Sequence, residues 1–265
     1  MVDLEKFLLI AGPCAIESTE ICDRVAEELA KIQKAHPEIS VVFKSSADKA
    51  NRSAVQSYRG FGMERGLKIL SSVKERFGLP ITTDFHTPDQ AKMVGSVVDI
   101  IQIPAFLCRQ TDMLKAAAET GKIVSVKKGQ FLSPWDMRHV VEKLRAFGAK
   151  KIIQMERGTS FGYGNLVVDM RSFQIMRENR RLVVYDLTHS LQLPGMGANE
   201  TRGAREFADT LARAAIGAGI DGLFIETHPN PDKALCDRET QLPLDTLNER
   251  MEIYLKLHRM VRGLG

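Results

Sequence analysis

Four residues far apart in the sequence carry side chains that suit a divalent metal ion. They are Cys14, His189, Glu226 and Asp237, and each follows a short apolar run. One thiolate, one imidazole and two carboxylates would suit Zn²⁺, Fe²⁺ or Mn²⁺, because mixed donors of this kind do not select a single metal. Cys236 lies beside Asp237 in the sequence and is a rival donor, as is His228, so the pattern leaves the ligand set open.

Two groups of basic residues predict binding sites for phosphate. Lys44, Lys127 and Arg157 each follow an apolar run. The second group lies in the stretch 45–61, which is long for a loop in a compact domain and therefore typical of a functional segment. Its members are Lys49, Asn51, Arg52 and Ser53. Cationic, amide and hydroxyl donors suit phosphate oxygens. Two separate groups indicate a pair of substrates that together carry several negative charges.

Further polar side chains occupy corresponding positions after other apolar runs. Asp84 and His86 follow one run, Gln102 lies at the end of the next, and Arg109 comes a few residues later. Asp84, His86 and His189 are candidates for proton transfer, because carboxylates and imidazoles are the usual general acids and bases. The sequence does not assign the base among them.

These residues are spaced by a regular alternation of apolar runs and segments with helical periodicity. Most of the runs are continuously apolar, which is typical of parallel strands buried on both faces. The predicted strands are 7–11, 41–44, 81–83, 99–103, 123–126, 152–155, 182–185 and 222–225. The predicted helices are 18–34, 62–77, 88–95, 111–120, a segment from Ser133 to Gly148, 169–178, 204–218 and 244–260. Eight units of about 33 residues each predict a (β/α)8 TIM barrel forming one domain over residues 1–265.

Closure of such a barrel would bring the separated residues together. Its active site forms at the carboxyl ends of the strands, and closure places the first strand beside the eighth. Cys14, His189, Glu226 and Asp237 would then come from three neighbouring strands. The main alternative is an open doubly wound sheet, which usually carries a Gly-rich fingerprint after its first strand. The sequence Gly12-Pro13-Cys14 at that position does not match the fingerprint.

Composition argues against several other classes of protein. The net charge of +4 comes from 37 basic and 33 acidic residues that are scattered along the chain, so no nucleic-acid partner is expected. No apolar run reaches the length of a membrane span, and the N-terminus lacks the pattern of a signal peptide. The four cysteines form no Cys-x-x-Cys pair. We therefore expect a cytoplasmic protein with free thiols and no membrane partner.

The chain contains several longer motifs, among them Asp48-Lys49-Ala50-Asn51-Arg52-Ser53. Further motifs occupy the stretches 10–18, 43–46, 101–110, 126–130, 156–158, 161–163, 165–169, 188–190 and 226–229. Together these motifs closely resemble the 3-deoxy-D-manno-octulosonate 8-phosphate synthase family. The related heptulosonate 7-phosphate synthases typically have Lys-Pro-Arg-Thr-Ser in place of the part from Lys49 to Ser53. The resemblance implies condensation of phosphoenolpyruvate with D-arabinose 5-phosphate and water, which releases phosphate during lipopolysaccharide synthesis.

The resemblance also implies roles for individual residues. A cysteine rather than an asparagine at position 14 is similar to the metal-dependent members, with His189, Glu226 and Asp237 as the other ligands. Phosphoenolpyruvate would be held by Lys44, Lys127 and Arg157, with Ala105 lining the site. The acceptor would be held by Lys49, Asn51, Arg52 and Ser53. Arg109 would bind the acceptor phosphate across a subunit boundary in a homotetramer. Two departures from the family pattern, Ala54 and the stretch 199–205, affect expected loop contacts only.

Three alternatives remain open at the level of sequence. The first is a heptulosonate 7-phosphate synthase that uses erythrose 4-phosphate as acceptor. The second is an aldolase in which Lys127 or Lys44 forms a Schiff base with a carbonyl substrate. The third is a barrel that binds sugar phosphates without catalysis, because a fold by itself does not determine an activity.

Overall fold

A computed structural model describes residues 1–52, 54–196 and 202–264. Within these ranges, eight parallel strands form the wall of a barrel. They are β1 (Phe7–Gly12), β2 (Ile39–Lys44), β3 (Ile81–Asp84), β4 (Ile100–Ile103), β5 (Ile123–Lys127), β6 (Ile152–Glu156), β7 (Leu182–Asp186) and β8 (Gly222–His228). The barrel is closed, because β1 pairs with β2 on one side and with β8 on the other. The predicted (β/α)8 fold is confirmed, and the open doubly wound sheet is wrong.

Helices follow the strands and pack their apolar faces against the barrel. They are α1 (Thr19–Ala35), α2 (Met63–Phe77), α3 (Gln90–Val97), α4 (Thr111–Glu119), α5 (Met137–Ala146), α6 (Arg171–Arg177), α7 (Ala208–Gly217) and α8 (Leu247–Arg262). A 3₁₀ turn, Pro134–Asp136, precedes α5, and the Ser133 hydroxyl donates to Asp136 Oδ2 at 2.8 Å. None of the helices in the described part of the chain is long and apolar enough to cross a membrane.

Alternate residues of each strand face opposite sides of the barrel wall. On β1, Phe7 and Leu9 belong to the large core shared with the helices, whereas Leu8 and Ile10 belong to a smaller cluster. That smaller cluster collects apolar residues from six strands and fills the barrel interior. This filling is typical of barrels of this size, whose centre is a packed core and not a channel.

The same alternation places polar residues above the apolar interior. Two positions beyond the cluster residues Val42, Ile100, Val184 and Phe224 come Lys44, Gln102, Asp186 and Glu226, in that order. Because side chains alternate with a period of two, these polar groups face the same interior at its carboxyl-terminal end. Several strands run one to three residues further than predicted. Asp84, Lys127, Asp186 and Glu226 are therefore strand residues and not the first residues of loops, whereas Lys44 ends β2 as predicted.

Three short pairings that the sequence did not predict lie beyond the carboxyl ends of the strands. Thr159–Ser160 pairs with Leu166–Val167, and Gln192–Leu193 pairs with Arg202–Gly203. Leu242–Pro243 adds alongside the end of β8. Each is only two residues long, so it leaves little periodicity to detect in a sequence.

Gly222 provides a test of barrel closure at the seam between β1 and β8. A Cβ atom at this position would lie 2.2 Å from the Leu8 carbonyl oxygen and 2.8 Å from Leu8 Cβ. We expect Gly222→Ala to lower the free energy of unfolding by about 1–3 kcal/mol, because the added methyl group forces the two strands apart. Urea denaturation measures the change.

Gly217→Ala is the matched control, because nothing lies within 4 Å of the Cβ that it would add at the end of α7. Replacing a helical glycine by alanine gains about 0.5–1 kcal/mol when space allows. Equal stability of the Gly222→Ala and Gly217→Ala variants would contradict the proposed crowding at the seam.

Candidate active site

A cavity of about 410 Å³ lies at the carboxyl end of the barrel. Most of the residues that the sequence singled out contribute to its lining. They are Lys44, Lys49, Asn51, Arg52, Asp84, Gln102, Ala105, Lys127, Arg157, His189 and Asp237. A larger hollow of about 810 Å³, bordered by residues 1–5, contains none of the predicted site residues. The smaller cavity is therefore the candidate active site.

Three of the four predicted metal donors lie close together beside this cavity. A sulfur of Cys14 and one carboxylate oxygen each from Glu226 and Asp237 are all within 4.8 Å of one another. Cys14 Sγ lies 3.3 Å from Asp237 Oδ2. Oε2 of Glu226 is buried and has no hydrogen-bond partner among the described residues. A sulfur and two carboxylates that converge with an unsatisfied oxygen fit a divalent cation.

The fourth predicted donor, His189, lies next to this group but is not part of it. Its Nε2 is 3.6 Å from Glu226 Oε1. The ring is oriented by Asp186, whose Oδ1 accepts from the His189 backbone N–H at 3.1 Å and lies 3.0 Å from Nδ1. Nδ1 also lies 3.3 Å from Lys127 Nζ, so this nitrogen is placed between a carboxylate and an ammonium group. Nε2 faces Glu226, on the side of the donor group.

Burial and neighbouring charges act in opposite directions on the ionisable groups of this cluster. Burial raises the pKa of the Cys14 thiol, and Cys236 and Glu226 raise it further. Burial alone would raise the pKa of Glu226, but His189, Lys44 and Lys49 outweigh this effect and hold that pKa well below its ordinary value. Glu226 is therefore an anion and Cys14 a neutral thiol.

A glutamine that the sequence analysis missed ties the two ends of this cluster together. Gln241 is fully buried, and its Oε1 accepts from the Cys14 backbone N–H at 3.1 Å. Its Nε2 donates to the Cys236 carbonyl oxygen at 2.9 Å. Asp237 itself has a positive φ of 47°, an uncommon conformation for a residue with a side chain. No sequence signal marks Gln241, because its role depends on a loop conformation.

Two buried lysines form ion pairs on the floor of the cavity. Lys44 Nζ donates to Glu226 Oε1 at 2.6 Å and to the Cys14 carbonyl oxygen at 3.0 Å. Lys127 Nζ donates to Asp186 Oδ2 at 2.6 Å and lies 3.7 Å from the centre of the Phe224 ring. Burial lowers the pKa of Lys127 below its ordinary value, although Asp186 opposes the shift.

Arg157, the third residue of the first basic group, is also buried in the wall of the cavity. Its Nη2 donates to Gln192 Oε1 at 2.6 Å. Its Nη1 is buried and has no hydrogen-bond partner in the described part of the chain. Arg157 as a residue lines the cavity, and a guanidinium group there is a natural donor for an anion.

The second basic group borders the same cavity from the loop after β2. Lys49 is almost fully buried, and its Nζ lies 3.8 Å from Glu226 Oε1. Arg59 holds the loop in place through two sets of contacts. Its guanidinium donates to both carboxylate oxygens of Asp48, at 3.0 and 2.6 Å. Its carbonyl oxygen accepts from the Lys49 backbone N–H. Asn51 and Arg52 line the cavity, whereas Ser53 lies outside the described residues.

Asp84 and His86 form a pair in which only the carboxylate reaches the cavity. His86 Nε2 lies 3.3 Å from Asp84 Oδ2, and Asp84 alone of the two lines the cavity. Burial would raise the pKa of Asp84, but His86 and Lys49 outweigh this effect and keep it well below its ordinary value. Asp84 is thus a permanent anion and a hydrogen-bond acceptor, which makes it a poor base.

Arg109 lies apart from the other predicted residues. It borders a separate hollow of about 350 Å³ together with His139 and Lys143. Its carbonyl oxygen accepts from Lys143 Nζ at 3.3 Å. Within one chain, Arg109 is therefore not part of the candidate active site.

Comparison with known proteins agrees with this arrangement. Residues 3–262 match the DAHP synthetase I family. The 2-dehydro-3-deoxyphosphooctonate aldolase of Trichlorobacter lovleyi is 53% identical over 255 residues, which are 96% of this chain and 93% of that relative. The protein of the same name from Desulfotalea psychrophila is 51% identical over 97% of this chain and 91% of that relative. The one from Nitratidesulfovibrio vulgaris is 54% identical over 90% of this chain and 87% of that relative. A match of this extent covers the whole barrel and its cavity, and the chain therefore belongs to the DAHP synthetase I family.

Proposed function

We propose that the protein condenses phosphoenolpyruvate with D-arabinose 5-phosphate and water, forming 3-deoxy-D-manno-octulosonate 8-phosphate and inorganic phosphate. The observation that carries the proposal is the cavity at the carboxyl end of the barrel, where buried cations lie beside the Cys14, Glu226 and Asp237 donors. The relatives that are 50–54% identical carry the name 2-dehydro-3-deoxyphosphooctonate aldolase, which denotes this reaction.

Lys44, Lys127 and Arg157 are assigned to phosphoenolpyruvate. This substrate carries a phosphate and a carboxylate, so it requires several positive groups close together. Arg157 offers the unpaired Nη1, and the two lysines present ammonium groups above the Phe224 ring. Gln102 and Ala105 line the same part of the cavity and shape it around the enol.

Lys49, Asn51, Arg52 and Ser53 are assigned to the acceptor sugar. Lys49, Asn51 and Arg52 line the same cavity as Lys44, Lys127 and Arg157, and this proximity supports a role in holding the aldehyde near C3 of phosphoenolpyruvate. Holding the two reactants together makes the bond-forming step effectively unimolecular. The new carbon–carbon bond joins C3 to the aldehyde carbon, water adds at C2, and the C–O bond to phosphate breaks.

Cys14, Glu226, Asp237 and, from the adjacent turn, His189 are assigned to a divalent ion, with Zn²⁺, Fe²⁺ and Mn²⁺ as candidates. When bound, such an ion acts as a Lewis acid on the aldehyde or activates the attacking water. Proton transfer is assigned to chain residues. Lys127, whose pKa burial lowers, is a better proton donor than an exposed lysine. Asp84, with its low pKa, orients hydroxyl groups.

Three broader properties belong to the same proposal. The barrel over residues 1–265 acts as one catalytic domain in the cytoplasm. Arg109 binds the acceptor phosphate in the site of a neighbouring subunit of a homotetramer, since it faces away from the cavity of its own chain. The exposed side chains of Phe106 and Trp135, at 53% and 58%, provide apolar surface in that region.

The first test follows phosphate release from phosphoenolpyruvate with arabinose 5-phosphate and with erythrose 4-phosphate in parallel. We expect turnover with the five-carbon acceptor, its loss on treatment with a chelator, and its return when Mn²⁺, Fe²⁺ or Zn²⁺ is added. Preference for erythrose 4-phosphate would identify a heptulosonate synthase, and full activity in a metal-free sample would reject the metal. Borohydride trapping of a substrate on Lys127 or Lys44 would favour the Schiff-base mechanism.

The second test concerns the sulfur donor. Cys14→Ala removes the thiol that lies within 4.8 Å of both carboxylates, so we expect the dialysed protein to lose its bound metal. Cys22→Ala is the control, because Cys22 is an equally buried thiol on α1 outside the donor group. Metal analysis of both variants decides the matter. Wild-type metal content in the Cys14→Ala protein would show that sulfur is not a ligand.

The third test concerns the buried pair of Lys127 and Asp186. Asp186→Asn keeps the size of the side chain but leaves a buried ammonium without its counter-ion, which costs about 3–5 kcal/mol. Asp169→Asn breaks a comparable pair with Arg171 at the exposed start of α6, where about 0–1 kcal/mol is expected. Urea denaturation at pH 7 measures both. Similar losses of unfolding free energy in the two variants would contradict the larger cost that we expect for breaking the buried pair.

A further inference from the structure

Gln192 joins the anion-binding arginine to the candidate metal site. This half-buried residue lines the cavity. It lies two positions after Leu187–Ser190, the helical turn that carries His189. Its Oε1 accepts from Arg157 Nη2 at 2.6 Å. Its Nε2 lies 3.3 Å from Asp237 Oδ1, to which it donates. One amide therefore contacts a cation with its oxygen and a carboxylate with its nitrogen.

The amide suits this position because it satisfies both neighbours without neutralising either. Arg157 and Asp237 are near enough for their charges to interact. Without a spacer, the guanidinium could pair directly with the carboxylate and occupy it. With Gln192 between them, Arg157 keeps Nη1 unpaired, and Asp237 keeps Oδ2 beside Cys14 Sγ.

The side chain of Gln192 is not required for the local backbone structure. Residues Gln192–Leu193 pair with Arg202–Gly203 through main-chain contacts in an antiparallel register. Replacing the amide with a side chain of similar size therefore leaves the main-chain pairing of these two segments in place. A loss of function on substitution would then report on the bridge and not on the hairpin.

We propose that Gln192 is a positioning residue that couples anion binding at Arg157 to divalent-metal binding at Cys14, Glu226 and Asp237. An anion bound at Arg157 in the cavity immobilises the guanidinium, the guanidinium fixes the Gln192 amide, and the amide orients the Asp237 carboxylate toward the metal donors. Coupling of this kind is reciprocal, so bound metal strengthens anion binding by the same factor. The inference rests on the proposed function, which places phosphoenolpyruvate at Arg157 and the metal at Asp237.

The experiment measures affinities in protein that has been stripped of metal. The affinity for Mn²⁺ is determined with and without saturating phosphoenolpyruvate. The affinity for phosphoenolpyruvate is determined with and without Mn²⁺. Both are corrected for the direct binding of Mn²⁺ by phosphoenolpyruvate in solution. For the wild type, we expect each ligand to strengthen the other by the same factor, about five-fold or more. In Gln192→Leu, we expect this factor to fall close to one, while both ligands still bind singly.

Two further variants make the result specific. Gln174→Leu makes the same substitution on the exposed face of α6, and we expect it to keep the wild-type coupling factor. Gln192→Glu places a carboxylate between Arg157 and Asp237, so we expect weaker binding of phosphoenolpyruvate and no coupling. If Gln192→Leu does not fold, as judged by urea denaturation, Gln192→Asn provides the same test, because its shorter amide cannot reach both partners.

The outcomes separate this inference from the proposed function. Wild-type coupling retained in the folded Gln192 variants would overturn the inference, and so would a wild type that binds both ligands independently. In either case the proposed reaction would stand. Failure of the wild type to bind phosphoenolpyruvate at all would overturn the proposed function and the inference with it.

Discussion

The charges inside the barrel are stable there only because opposite charges accompany them. Transfer of an ion from water into a protein interior costs several kcal/mol, and an opposite charge compensates only when the geometry is good. Lys44 meets Glu226 and Lys127 meets Asp186, each pair at 2.6 Å, in surroundings almost closed to solvent. These pairs hold their side chains in fixed positions before any substrate arrives. Fixed dipoles and charges of this kind need not reorganise during a reaction, which is the main source of electrostatic catalysis.

The barrel supplies the geometry that these pairs require. The period-two alternation of the strands sets a polar layer directly above an apolar one, and closure aligns Gly12 on β1 with Glu226 on β8. Phe224, two residues before Glu226, provides an aromatic face 3.7 Å from Lys127 Nζ and 5.3 Å from Lys44 Nζ. A cation over an aromatic face is stabilised even when it is desolvated. The Phe224 ring therefore favours positive charge at both lysines, although the ring itself is apolar.

The sequence predicts the parts of this site that depend on regular structure. Lys44 and Lys127 end strands that are recognisable as apolar runs, and Glu226 directly follows such a run within β8. Closure of the barrel then brings Cys14 close to Glu226. The parts that depend on irregular backbone could not be predicted. Gln192 and Gln241 act through loops whose course no periodicity records. The sequence likewise did not show that Asp84, and not His86, reaches the cavity, or that Arg109 faces a different hollow.

The charge balance of the cavity gives a physical reason for a metal in the proposed reaction. Among the residues that the structure describes, five cationic side chains line it, namely Lys44, Lys49, Arg52, Lys127 and Arg157. In the same part of the chain, four carboxylates at or beside the cavity, from Asp84, Asp186, Glu226 and Asp237, already offset most of this charge.

The two proposed substrates bring two phosphates and a carboxylate into the same space, so these side chains leave little positive charge uncompensated. A divalent ion on the Cys14, Glu226 and Asp237 donors would engage two of the carboxylates and return Lys44 and Lys49 to the substrates. Glu226, the carboxylate that stabilises Lys44 and Lys49 in the absence of substrate, would then serve as a metal ligand, so the same residue would provide both stability and binding.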